Sequence, residues 1–118
     1  MALPQPKRLR RSVAAIRSPK QEAEIAKKYG GRIVRGSGCG SEKGDARIEG
    51  VARIEAKSTQ AKSFRVTREM IAKIDSAAVA AGEVPILEIE FLNARGKPEY
   101  SVAVMPTSAL ETLLDNQR

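Results

Sequence analysis

The apolar residues change their period several times along the chain, and each change marks an element. Over residues 20–29, Ile25, Ala26 and Tyr29 recur with Glu22 at helical spacing, as expected for a helix that rests one face on a core. Ser18 and Pro19 stand before it as a cap and a first-turn proline, and Gly30-Gly31 stops it. Residues 32–35 read as a short strand, and the glycine-rich run 36–41 reads as a loop. A two-residue period then sets in over 45–49 and again over 51–57, with Gly50 between them, which predicts a β-hairpin. If Asp45 pairs with Glu55, Ala46 meets Ile54 and Ile48 meets Ala52, so apolar side chains gather on one face and charged ones on the other. That register needs a three-residue connection around Gly50 and sets Arg47 against Arg53.

Downstream, residues 63–66 fit a short strand. Thr67 caps a helix running to about Ala81, with Met70, Ile71, Ile74, Ala77, Ala78 and Ala81 at helical spacing and Gly82 closing it. Residues 84–92 alternate as a strand, with Leu87, Ile89 and Phe91 on one side and Ile86, Glu88 and Glu90 on the other. Residues 100–105 return across a turn at 93–98, and a last helix spans 108–115. The order predicts an α/β (α+β) fold, a mixed central β-sheet flanked by helices.

At 118 residues the chain suits one domain, expected at 18–118 after a basic, extended tail at 1–17. No run of eighteen apolar residues and no hydrophobic leader core are present, so a soluble, cytoplasmic protein with no membrane partner is expected, in the host cytoplasm if the gene belongs to a phage. One cysteine, Cys39, and no histidine exclude an internal disulfide and an ordinary zinc site; a catalytic metal would have to be held by oxygen.

Charge adds a partner class. The 21 Lys and Arg outnumber the 14 Asp and Glu, a net charge of +7, which favours a polyanion, nucleic acid being the commonest. Lys7, Arg8, Arg10, Arg11, Arg17 and Lys20 have no acidic neighbours in sequence. An aromatic content of 3% speaks against base-stacking platforms, so backbone contacts are expected over base readout.

The hairpin carries the chemistry. Glu55 and Lys57 point to the same side of their strand, and Asp45 lies on the partner strand. Two carboxylates brought together repel unless one is protonated or a cation lies between them. Mg²⁺ suits such oxygen donors, and a neighbouring lysine can stabilise charge on a phosphoryl oxygen or activate water.

Gly44-Asp45, nine intervening residues and Glu55-Ala56-Lys57 resemble the core of the PD-(D/E)xK nucleases, with glycine where that motif has proline. Residues 20–26, Gly30-Gly31, Arg35-Gly36-Ser37-Gly38 and Lys43-Gly44-Asp45 are similar to the small phage and archaeal Holliday junction resolvases and related phage nucleases. The resemblance spans roughly residues 20–89 and implies a restriction-endonuclease-like core and Mg²⁺- or Mn²⁺-dependent hydrolysis of DNA. It further implies ligation by Asp45, Glu55 and the Ala56 backbone carbonyl, and a helix acid, Glu22 or Glu24, acting directly or through a water. Glu22 is preferred because it shares the face of Ile25, Ala26 and Tyr29. Lys57 would orient the attacking water, Ser37 would hold the scissile phosphate, and the product would carry a 5′ phosphate. Thr59 is a weaker phosphate contact. Arg35, Lys43 and Lys62 join Lys7, Arg8, Arg10 and Arg11 as expected DNA contacts.

The same residues admit plainer readings. Asp45 and Glu55 would suit an ordinary charged face, Glu22 a first-turn acid favoured by the helix dipole, and Glu88 and Glu90 solvated or interface positions. The alternatives to a junction resolvase are a nicking or single-strand nuclease of the same fold and a non-catalytic DNA-binding protein. Two opposed cuts need two sites, so a homodimer acting on branched or single-stranded DNA is expected, with interface material in the apolar half of 84–91 and in Leu110, Leu113 and Leu114.

Overall fold

The computed structural model describes residues 13–34 and 45–117. The elements are α1 (Val13–Tyr29), β1 (Arg32–Val34), β2 (Asp45–Ile48), β3 (Ala52–Thr59), α2 (Arg68–Ala80), β4 (Val84–Leu92), β5 (Pro98–Val104) and α3 (Thr107–Asp115). The strands form one mixed sheet in the order β1-β2-β3-β4-β5. Neighbours are antiparallel except β3 and β4, which run parallel with α2 as their crossover. This is a small α/β fold, its mixed sheet flanked by three helices.

Two elements depart from the sequence reading. Helix α1 begins at Val13 instead of near Ser18, so residues 13–17 are helical and not an extended tail. Ala14 and Ala15 are strong helix formers, although Pro19 then falls inside the helix, where it removes a backbone hydrogen bond and its ring crowds the preceding turn. Residues 63–66 join no ladder and form an extended lead into Thr67, whose hydroxyl oxygen accepts from the Met70 N–H at 3.2 Å as a helix cap.

The hairpin has the predicted register, Asp45 with Glu55, Ala46 with Ile54, Arg47 with Arg53 and Ile48 with Ala52. Gly50 turns the chain in the left-handed region, φ +76°, which side chains avoid. The juxtaposed arginines are reconciled by a residue the sequence did not single out. Glu83, at the α2–β4 junction, accepts from Arg47 Nε at 2.9 Å on both oxygens, and its Oε2 lies 2.8 Å from Arg47 Nη2. Oε2 also accepts from the Gly50 N–H at 2.9 Å. Glu83 is only 5% exposed, and these donors replace the water it has lost. The Arg47 hydrogen bonds hold its carboxyl below the usual glutamate range, with help from the Gly50 amide, and the same contact raises Arg47.

Alternation along β3 and β4 separates two cores. Ala46, Ala52, Ile54, Ala56 and Val84 pack with Ile25 of α1 and Ala109 of α3; this is the α1 face. Leu87 and Ile89 are 1% and 2% exposed on the opposite, α2 face, where Ile74 and Ala78 are the buried residues of the covering helix. At the end of α1, a Cβ on Gly31 would run into the Arg47 carbonyl, so the helix reaches β2 only through glycine.

The apolar half of 84–91 is therefore not free interface material, because Leu87 and Ile89 are consumed by α2. Leu110 and Leu114 are exposed and Leu113 is half-buried. Tyr29, expected on the buried face of α1, is 46% exposed, since the helix ends as the chain turns into β1. Among the described residues no helix is long and apolar enough to cross a membrane.

Glu83→Gln should lower the Tm at pH 7 by roughly 5 °C or more. Because Glu83 is lowered in the folded state, its contribution is complete above the ordinary glutamate value, about 4.3, and is lost as the pH falls through the lowered one. Thermal unfolding across pH 3–7 should therefore show the gap between variant and wild type closing in acid; a constant gap would refute the ionic origin.

Candidate functional site

Strand β3 carries Ala52, Ile54 and Ala56 toward the α1 face, so Glu55 and Lys57 point together to the α2 face. Backbone pairing sets position 45 directly opposite Glu55; the Asp45 side chain lies outside the described residues. Lys57 Nζ stands 3.4 Å from Glu55 Oε1, a loose ion pair between a half-exposed ammonium and a nearly buried carboxylate. Strand β2 starts at Asp45, so beyond Glu55 the β2-side edge of β3 has no strand partner among the described residues.

The strand is held from behind by Gln21. Fully buried on α1, its Nε2 donates to the Lys57 carbonyl at 3.0 Å and to the Glu88 carbonyl at 3.2 Å. Those two carbonyls belong to adjacent strands, so the Lys57 carbonyl faces β4. Successive carbonyls alternate along a strand, which directs the Ala56 carbonyl to the other edge, where β2 ends. Gln21 was missed in the sequence because an amide suggests solvent; its position four residues before Ile25, on the same helix face, was the available signal.

Glu22 is buried and Glu24 exposed, the orientation expected for the helix acid. Ile25, one turn on, packs on the α1 face, so Glu22 approaches β3 from the side of the sheet opposite Glu55 and Lys57. Thr59 shares the face of Lys57; its Oγ1 accepts from the Ala61 N–H at 3.0 Å, and its hydroxyl proton remains to donate. Lys62 is exposed two residues past Gln60. Lys7, Arg8, Arg10, Arg11, Arg35, Ser37 and Lys43, with the glycine loop at 36–41, lie outside the described residues.

Among the described residues no three acids or thiols are grouped closely enough to hold a metal, and the Asp45 side chain falls outside that set. The oxygen donors nearest this point are the Glu55 carboxylate and the carbonyl of the next residue, Ala56, with position 45 paired across from Glu55. All are hard oxygen ligands, of the kind Mg²⁺ or Mn²⁺ takes.

A second acidic pair lies on the α1 face. Glu88 and Glu90 were expected at solvated or interface positions; Glu90 is 5% exposed and Glu88 half-buried, and the Gln21 side chain of α1 reaches Glu88. Burial raises the Glu88 carboxyl above the ordinary range; the Gln21 amide, at 3.3 Å from Oε1, offsets part of this and the Glu90 charge adds to it. Comparison with protein-family models, curated proteins and solved structures finds no match.

A glutamate raised on folding loses stability as the pH climbs from its unfolded value through the raised one. Glu88→Gln, which retains an oxygen for the Gln21 amide, should raise the Tm by a few degrees at about pH 7–8 and change little near pH 4. Thermal unfolding at the two pH values checks this, and a gain of equal size at both would assign the effect to packing.

Proposed function

We propose that the chain is a metal-dependent DNA endonuclease of the PD-(D/E)xK class with a restriction-endonuclease-like core, acting as a junction-resolvase-like enzyme. The observation that carries the reading is the pairing of position 45 with Glu55 and the placing of Lys57 beside Glu55 on the same face. An arbitrary charged hairpin has no need to bring two acids and a lysine to the point where its partner strand ends. The excess of basic residues, net +7, supplies attraction to the phosphate backbone.

In this mechanism Asp45, Glu55 and the Ala56 carbonyl hold Mg²⁺ or Mn²⁺. The ion, when bound, polarises the scissile phosphate and makes water a stronger nucleophile. Lys57 orients the attacking water and places its positive charge against the phosphoryl oxygens as negative charge develops. The water oxygen bonds to phosphorus and the bond to the 3′ oxygen breaks, leaving a 5′ phosphate and a 3′ hydroxyl. Ser37 holds the phosphate, with Arg35, Lys43, Lys62 and the Thr59 hydroxyl along the backbone; the amino-terminal Lys7, Arg8, Arg10 and Arg11 extend the contact. Glu22 is the helix acid, acting on the site directly or through a water. Gln21 is a positioning residue, fixing the segment that carries Lys57.

Asp45→Ala, Glu55→Ala and Lys57→Ala should each reduce Mg²⁺-dependent cleavage of labelled four-way, flap, single-stranded and duplex DNA by roughly a hundredfold or more, with binding in EDTA largely kept. Full activity in any one of them sinks the assignment. Glu22→Ala should cost more activity than Glu24→Ala; the reverse ranking would move the helix acid to the exposed face.

Two opposed cuts need two sites, and the working unit is proposed to be a homodimer. The exposed Leu110 and Leu114, 46% and 57% accessible, are the remaining leucine surface for it. Sedimentation at micromolar concentration should give twice the chain mass and Leu110→Glu the single mass; a wild-type monomer would leave a nicking or single-strand enzyme.

A further inference from the structure

The face that carries Lys57 continues past it. Lys57 pairs with Ile89 and Thr59 with Phe91, and Phe91 pairs in turn with Tyr100 on β5. Residues in register share a face, so Lys57, Thr59, Phe91 and Tyr100 stand on one surface, the two aromatic rings one two-residue step beyond the lysine. The chain holds only four aromatic residues, two Phe and two Tyr, and half of them meet here.

Tyr100 is 69% exposed, although a ring of this size normally finds cover on a sheet. Beside the pair, where β3 leaves the sheet and β4 turns into β5, lies a cavity of about 500 Å³ lined by Gln60, Ala61, Lys62, Phe91, Asn93 and Tyr100. Its walls are tied in place. Gln60 Nε2 donates to the Asn93 carbonyl at 3.0 Å and the Ala94 carbonyl at 3.3 Å, while Asn93 Oδ1 accepts from the Arg95 and Lys97 amides at 2.9 and 3.0 Å. Lys62 lines the cavity, and Arg95 and Lys97 sit on the adjoining exposed turn. Among the described residues none of these three has an ion-pair partner. One acid, Glu99, also borders the recess.

We propose that this recess binds an unpaired nucleobase, stacked against Tyr100 and Phe91 with a neighbouring phosphate on Lys62. An exposed aromatic platform beside unpaired cations is the chemistry that recognises single-stranded nucleic acid. A base inside a duplex has both faces covered by its neighbours and offers none to Tyr100, so the recess selects the unpaired segment of a branched, flapped or single strand. Two strand spacings and one two-residue step put Tyr100 roughly 12 Å from Lys57, close enough for one strand to occupy both. The inference rests on the nuclease reading and supplies its substrate class. The low aromatic content had argued against stacking, but the sheet register concentrates what little there is.

The test measures fluorescence anisotropy in EDTA, so that no cleavage intervenes, with full-length wild type, Tyr100→Ala and Tyr100→Phe on a single-stranded oligonucleotide and on its duplex. Tyr100→Ala should weaken single-strand binding roughly five- to hundredfold and leave duplex binding within about twofold, and Tyr100→Phe should bind as wild type. An oligonucleotide with 2-aminopurine should be quenched by wild type and Tyr100→Phe but not by Tyr100→Ala; circular dichroism checks the fold. Equal losses on both DNAs, no loss, or a wild type that does not bind single strands overturns the proposal. So does a drop from dimer to monomer mass in Tyr100→Ala with quenching intact, which would make the surface a subunit interface. A selective loss in a protein that never cuts with Mg²⁺ would keep the recess and discard the nuclease, whereas a cutting enzyme indifferent to Tyr100→Ala would do the opposite.

Discussion

The carboxylate of Glu83 is the contact on which the arrangement of the sheet turns. It grips the Arg47 guanidinium and the Gly50 amide together, so one buried side chain from the α2–β4 junction holds both a strand of the hairpin and its turn. Without it, Arg47 and Arg53 oppose each other across the ladder, a juxtaposition that disfavours this register. A slip of one residue would turn one strand over against the other, carrying either Ala46 of β2 or Ile54 and Ala56 of β3 off the α1 face. The ion pair and the hydrophobic pattern therefore select the same alignment, and the charged row follows from it.

The sheet also divides its acids by environment. Glu55 stands beside Lys57 on the α2 face, across from the first residue of β2, with its carboxylate nearly buried against the lysine. Glu88 and Glu90 lie on the α1 face, where the Gln21 amide bonds Glu88 and burial drives Glu88 toward its neutral form. Both pairs arise from the same alternation of charged residues along a strand. What separates them chemically is the helix laid over them, and Gln21 links the two sides by bonding the Lys57 carbonyl in front and Glu88 behind.

Edge strand β5 shows a further consequence of the layer arrangement. Helix α2 lies over β4 and reaches β3, whereas most of β5 is exposed. Tyr100 is uncovered for that reason, and its register with Phe91 and Thr59 places it on the surface that carries Lys57.

Much of this was written in the order of residues. Strict two-residue alternation and Gly50 determined the hairpin and the alignment of Asp45 with Glu55, because a period of two fixes which side chains face the core and the short turn at Gly50 selects among the registers that keep Ile48 and Ile54 there. Thr67 and Gly82 bounded α2, since a hydroxyl cap and a left-handed stop act within one turn. Long-range partners were not legible. Glu83 meets Arg47 across 36 positions, Gln21 meets Glu88 across 67, and the parallel alignment of β3 with β4 depends on how α2 crosses between them. Local propensity depends on neighbours in the chain, and these contacts exist only after distant segments have packed; the tertiary structure alone decided which acids are buried, what holds Lys57 in place and which aromatic rings remain exposed.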